Sequence, residues 1–326
     1  MDKIKNFRNV VSVPDFPFKI DYNNWILSMG SCFSSEMNRC FNNNAFYTYS
    51  PFGTIYNPLS IAINLDKCLS GISFNKNDLI QHNDIFFSWF HSGKYFSKNG
   101  ILLIDQLNKE AEEVSKIISN QPIIITTFGS AIVFCLKSNN QVVANCHKQK
   151  PSLFYKKRLL VNEIVETWTK VIDKLETKFI FSVSPVRHFR NGFIENSRSK
   201  AVLLLAIEEL IKLFPQKVIY FPSYEIMMDE LRDYRFYSND WIHPSSEAVS
   251  YIWDKFSEKI FSSSTFEVVE KVSNIRTRLN HRPNYGLSDE YIKFLKKLKG
   301  DIIEISSKTP LYIWDKEIES IDKLIK

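Results

Sequence analysis

A short apolar run, Ile26 to Met29, ends on Gly30 and is followed at once by Ser31, Cys32 and Phe33. Serine and cysteine are both able nucleophiles, and the glycine before them permits the sharp turn that presents a side chain off the end of a strand. A nucleophile needs a base. Far along the chain, in "YSNDWIHPSSEAVSYIW", Asp240 and His243 stand three residues apart, just ahead of Pro244 and Ser245, which mark a helix start. At that spacing a carboxylate in a tight loop holds an imidazole by its Nδ1 hydrogen and leaves Nε2 as base. Alone, an Asp-x-x-His is equally a capped turn beside a surface histidine. Joined to the turn at Gly30 it points to nucleophilic catalysis, with Cys32 or Ser31 attacking.

These residues have to be brought together by the elements around them. Residues 25–30, 122–129, 178–186 and 217–224 are short, β-branched or aromatic, and almost continuously apolar, as strands buried on both faces are. Between and after them, 104–120, 161–176, 197–214 and 245–261 carry helical periodicity. Strand followed by helix predicts an α/β fold with a mainly parallel sheet covered by helices on both faces, and a ligand site beyond the carboxyl ends of its strands. "SPVRH" ends one such strand, which puts Arg187 and His188 on the ligand side, as contacts for an anion or a sugar hydroxyl. Arg187 equally suits a partner among the acids of "DELRD". "WFHSG" puts His91 at the rim of the pocket. Past about residue 265 the strands stop and the chain turns polar and helical, which divides it into a catalytic domain, 1–264, and a helical extension, 265–326.

Composition narrows the function. The chain has 326 residues, 44% of them hydrophobic, and a formal charge of +6 that is spread along it. That is enough for a large core and too diffuse for a nucleic-acid surface. The N-terminal residues lack the apolar core of a secretory leader, and no run is long enough to span a membrane, so a cytoplasmic protein is expected. The five cysteines, at 32, 40, 68, 135 and 146, form no CxxC pair and read as reduced thiols. Cys146 and His147 are adjacent with no second pair to complete a metal site, so no metal is expected. A redox role for Cys32 would want a resolving cysteine at an interpretable distance, and the sequence offers none.

Seven ordered segments then resemble the GSCFA family, a branch of the SGNH/GDSL hydrolases. They are "GSCF" (30–33), "SPFGTIYNPLSIA" (50–62), "TFGSAIVF" (127–134), "VANCHK" (143–148), "SPVRH" (184–188), "SKAVLL" (199–204) and "PSYEIMMDELRDYRFYSNDWIHP" (222–244). The resemblance implies a flavodoxin-like α/β/α sandwich and acyl-ester chemistry through a covalent acyl-enzyme, either hydrolysis or O-acyl transfer to a carbohydrate hydroxyl. The superfamily nucleophile is the third residue of Gly-Asp-Ser, and here that position is Cys32; Ser31 serves if the turn is wound one residue differently. A thiol beside an imidazole and a helix N-terminus is expected to be partly ionised at neutral pH.

Gly53 matches the loop glycine whose amide joins that of Cys32 in an oxyanion hole. Where the pattern has Gly-x-Asn, this chain has Gly129-Ser130-Ala131, and alanine cannot donate. Asn145 is the candidate replacement, with His147 as a substrate contact; ordinary loop capping by Asn145 is the competing reading. No tightly bound cofactor is expected, and acyl-CoA is a candidate donor. The partner is an acylated or acyl-accepting small molecule or glycan. The competing class is a catalytically impaired glycan-binding module.

Overall fold

The computed structural model describes residues 9–281, 283, 286–310 and 313–325. In chain order β1 (Trp25–Gly30), α1 (Cys32–Asn43), β2 (Tyr47–Tyr49) and α2 (Pro58–Leu69) come first. An antiparallel ribbon of β3 (Leu79–His82), β4 (Ile85–Ser88) and β5 (Phe96–Ser97) leads into α3 (Gly100–Ser119). β6 (Ile123–Phe128) is followed by a second antiparallel ribbon of β7 (Ile132–Leu136), β8 (Val142–Val143) and β9 (Phe154–Arg158). Then come α4 (Val161–Ile172), β10 (Phe179–Val183), α5 (Phe193–Leu213), β11 (Val218–Phe221), the short turn α6 (Ser223–Glu225) and α7 (Ser246–Ile260). Three helices close the chain: α8 (Ser263–Leu279), α9 (Asp289–Ile305) and α10 (Asp315–Ile325).

The central sheet runs β11-β10-β6-β1-β2 with every pairing parallel. Counting only its own strands along the chain, that order is 2-1-3-4-5, the flavodoxin type, whose direction of winding reverses between β1 and β6. All residues of β6 and β10 are buried. Successive side chains feed opposite faces: Ile123 and Ile125 enter one core cluster, Ile124 the other. The first cluster is completed by Phe33, Met37 and Phe41 of α1 and Ala248, Ile252 and Phe256 of α7. The second takes Ile61 and Leu65 of α2, Trp168 of α4 and Leu203 and Ile207 of α5.

The C-terminal helices share the first cluster, adding Val272 of α8, Leu298 and Ile302 of α9 and Ile321 of α10 to the face made by α1 and α7. The sequence reading did not anticipate the two ribbons. They build a third cluster of their own around Trp89, Phe90, Leu103 and Phe154. Among the described residues no helix is long and apolar enough to cross a membrane.

Candidate active site

The switch point of the sheet is where β1 ends. Gly30 has φ +131°, and a Cβ there would lie 2.2 Å from the Thr127 carbonyl oxygen, so only glycine fits. The close approach lets the Ser31 amide donate to that carbonyl at 3.0 Å, after which the chain turns directly into α1. Ser31 is the residue before the helix, and its side chain makes no capping bond. It is fully buried, and its Oγ has no hydrogen-bond partner. Cys32 is half-buried and opens into a cavity of about 250 Å3. The turn therefore presents the thiol and hides the hydroxyl.

His243 lines the same cavity, with Glu36, Arg39, Val186 and Ser246. Its loop is wound tightly: the Ser238 amide donates to the His243 carbonyl at 2.8 Å and the Ser245 amide to the Phe236 carbonyl at 2.8 Å. Trp241 takes a left-handed φ of +61° to close it. Asp240 organises the interior. Its Oδ1 accepts from the Ser238 hydroxyl at 2.9 Å and from the amides of Ile242 and His243 at 2.9 and 3.0 Å. Its Oδ2 lies 2.6 Å from His243 Nδ1. The His243 amide, the His243 ring and the Ile242 amide hold the Asp240 carboxyl far below the usual carboxylate range. It stays ionised and fixes the ring so that Nε2 is the free nitrogen.

Burial pushes the Cys32 thiol up, and the amides of Phe33 and Cys32 at the start of α1, together with Lys200, offset this only in part. The expected partial ionisation at neutral pH is thus corrected: desolvation outweighs the helix N-terminus, and the resting thiol needs a base.

Of the other sequence candidates, Gly53 reaches the neighbourhood. Thr54 pairs with Gly30, and Ile55 N donates to the Gly30 carbonyl at 2.9 Å. Gly53 itself has φ +67°, and a Cβ there would lie 2.1 Å from Ser92 Oγ. His188 also lies close. Its ring meets Tyr56 edge-on at 4.8 Å, its Nε2 is buried without a partner, and burial, Lys200 and then His243 bring its pKa down to about 4.

Arg187, Asn145, His147 and His91 do not line the cavity. Arg187 is exposed and lays its guanidinium on the Met228 sulfur at 3.2 and 3.3 Å. Asn145 caps its own loop, with Oδ1 accepting the His147 amide at 2.8 Å. His147 is buried, stacks on Phe87 at 4.8 Å and spends Nε2 on the Ser88 carbonyl at 2.7 Å. His91, expected at the rim, is fully buried between Phe52, Phe74 and Tyr95.

The sequence reading missed the residues that secure the Gly129-Ser130-Ala131 turn. The amides of Gly129 and Ser130 both donate to the Tyr56 carbonyl, at 2.8 and 2.9 Å. Ser199 Oγ accepts from the Ala131 amide at 2.7 Å. Lys200, buried on α5, donates to the carbonyls of Gly129 at 2.9 Å and Ser184 at 2.7 Å. A signal was present: Lys200 falls on the buried stripe Asn196, Ser199, Leu203, Ala206, Ile207 and Leu210, where a lysine is out of place. Glu36 and Arg39 follow Cys32 by four and seven residues, the same face of α1.

Two family models match the chain. The model of the GSCFA family matches residues 25–256, and that of the GSCFA domain protein, C-terminal domain, matches residues 272–326. No curated protein matches the chain.

Proposed function

The chain belongs to the GSCFA family, and from that premise we propose that it makes and breaks acyl esters through a covalent acyl-Cys32 intermediate. One observation carries the reading: Cys32 and His243 open into one cavity while Asp240 holds the far side of the imidazole. His243 Nε2 takes the thiol proton as the sulfur attacks the acyl carbon. The bond to the leaving oxygen, or to sulfur when acyl-CoA is the donor, breaks, and that group leaves with the proton from His243. The second half runs in reverse. His243 deprotonates water or a sugar hydroxyl, which takes the acyl group and frees the thiol.

Negative charge builds up on the acyl oxygen in the tetrahedral intermediate of each half. The amides of Cys32 and Phe33 lie free of a serine cap at the start of α1 and are the donors for it. A thioester intermediate suits transfer, because it forms from acyl-CoA by near-neutral thiol exchange and passes downhill to an oxygen acceptor.

The test is turnover of an activated ester such as a nitrophenyl acetate, with and without a saccharide acceptor. His243→Ala is expected to abolish turnover. Acceleration by the acceptor, with acyl-saccharide as product, marks a transferase, and a rate unmoved by it marks a hydrolase. Full activity in His243→Ala contradicts the proposal, and a wild type that turns over no ester leaves the glycan-binding module.

A further inference from the structure

Helix α1 serves two cavities. Cys32, Glu36 and Arg39 line the one of about 250 Å3 that holds His243, while Ser35 and Asn38, on the adjoining face of the helix, line a second of about 670 Å3. Residues three apart on a helix carry Cβ atoms about 5 to 6 Å from each other, so Ser35 puts the second cavity beside the nucleophile. Its other walls are the end of β2 at Tyr49, the turn before β5 at Lys94 and Tyr95, and α3 at Gln106 and Lys109. The walls are tied to the catalytic turn. Gly53 lines the cavity, and the two residues after it, Thr54 and Ile55, pair with Gly30. Glu110 accepts the Phe52 amide at 3.3 Å on one oxygen and the Tyr95 hydroxyl at 2.5 Å on the other, which joins α3 and the first ribbon to that turn. The Ser92 amide donates to the Phe52 carbonyl at 3.1 Å.

The two linings differ in chemistry. Around Cys32 stand Phe33, Val186, Pro244 and Val249, an apolar surround that suits a short acyl chain. Among the described residues the second cavity has no aliphatic side chain in its lining. Ser35 and Tyr49 offer hydroxyls, Asn38 and Gln106 amides, and Lys94 and Lys109 ammonium groups. The one carboxylate in that lining, Glu110, is spent on the Tyr95 hydroxyl and the Phe52 amide, and neither lysine pairs with a carboxylate among the described residues. Such a lining meets hydroxyls with hydroxyls and amides, and leaves two positive charges for an anion.

We propose that this second cavity is the saccharide subsite and takes an acidic sugar, with its hydroxyls on Ser35, Tyr49, Asn38 and Gln106 and its carboxylate against Lys94 and Lys109; the inference rests on the acyl-Cys32 reading. A hydroxyl of the sugar is thereby brought to the thioester. His243 takes the hydroxyl proton as the oxygen bonds to the acyl carbon, the carbon–sulfur bond breaks, and the proton returns to sulfur. Removal of an acyl group from the same sugar is this path reversed. The first ribbon then has a function, since the turn before β5 closes the cleft over α1.

Isothermal calorimetry with trigalacturonate tests it, since this probe carries a carboxylate on every hydroxyl-bearing ring. The wild type should bind it, and the double variant Lys94→Glu/Lys109→Glu, changed at two exposed positions, should bind it about tenfold more weakly. Tricarballylate, with the same charge and no sugar ring, should bind about tenfold more weakly than the trisaccharide. No binding by the wild type, an unchanged affinity in the double variant, or equal binding of tricarballylate overturns the proposal. So does displacement of trigalacturonate by CoA, which would give the cleft to the acyl donor. The location is read without any variant. Reductive methylation followed by peptide mass spectrometry should find Lys94 and Lys109 shielded by trigalacturonate, and Lys116, further along α3 and paired with Glu113, labelled equally with and without it. Unshielded Lys94 and Lys109 overturn the proposal. None of these readouts uses an acylated substrate, so a failure of the cleft and a failure of the acyl chemistry are told apart.

Discussion

Asp240 Oδ2 sits 2.6 Å from His243 Nδ1 while Oδ1 of the same carboxylate takes the His243 backbone amide at 3.0 Å, so one side chain fixes both the ring and the peptide that carries it. The loop, not only the imidazole, is built around that carboxylate. Asp240→Asn should therefore lower the turnover of an activated ester by roughly two to four orders of magnitude, because an amide nitrogen facing Nδ1 favours the wrong tautomer. Steady-state kinetics measure it, and a loss below tenfold would remove Asp240 from its orienting role.

Asn145 and His147 should behave as structural residues. His147→Ala removes a stacked, hydrogen-bonded ring from the ribbon and should cost about 2 to 3 kcal/mol of stability. Asn145→Ala should cost about 1 kcal/mol through the lost cap, with ester turnover within about threefold of wild type. Denaturant melts and initial rates on the same samples test both. A hundredfold loss of turnover in well-folded Asn145→Ala would return it to the oxyanion hole.

Acid should weaken the fold through its buried histidines. Burial brings His91 from 6.5 to about 3 and His188 to about 4 and lowers His147 as well, so His91 and His188 are neutral in the folded chain near pH 6. The unfolded chain takes up protons below pH 6.5 that the folded chain refuses. Their contribution is complete above that pH and is lost as pH falls towards the folded values. Glu110, whose pKa burial raises, acts in the opposite sense at lower pH, so the clearest window is pH 7 to 5.5. Each fully neutral histidine adds a slope of up to about 1.4 kcal/mol per pH unit below 6.5. Chemical denaturation at several pH values should show a shallower slope in His91→Gln, and an unchanged slope would contradict the account.

Ser31→Ala tests the register of the turn. The hydroxyl is buried and unpaired, so removing it relieves a desolvated group and should change stability by no more than about 1 kcal/mol. Ester turnover should stay within about threefold of wild type.

Local chemistry decides what was legible in the sequence. The strands around Ile26, Ile124 and Phe181 announced themselves because burial on both faces demands continuous apolar runs, and Asp240 and His243 because a three-residue loop needs no tertiary information to bring them together. The ribbons at 79–97 and 132–158 are half-exposed and short, and their alternation is too brief to separate from loop. His147 looked like a site residue because sequence cannot tell a histidine whose Nε2 is already spent on a backbone carbonyl from one that is free. Lys200 carries no legible role in the sequence, since its meaning comes from two carbonyls 71 and 16 residues away. The acidity of Cys32 is illegible for the same reason: the helix N-terminus is visible in the sequence, and the burial that outweighs it is not.

The measurement that bears most directly on the account is the site of acylation. Incubating the protein with an activated acyl donor should add one acyl mass to the peptide carrying Cys32, and hydroxylamine should release it, as it releases a thioester. Ser31→Ala should still form the adduct, and Cys32→Ala should form none. An adduct that persists in Cys32→Ala and vanishes in Ser31→Ala would make the buried hydroxyl the nucleophile and contradict the reading of this turn.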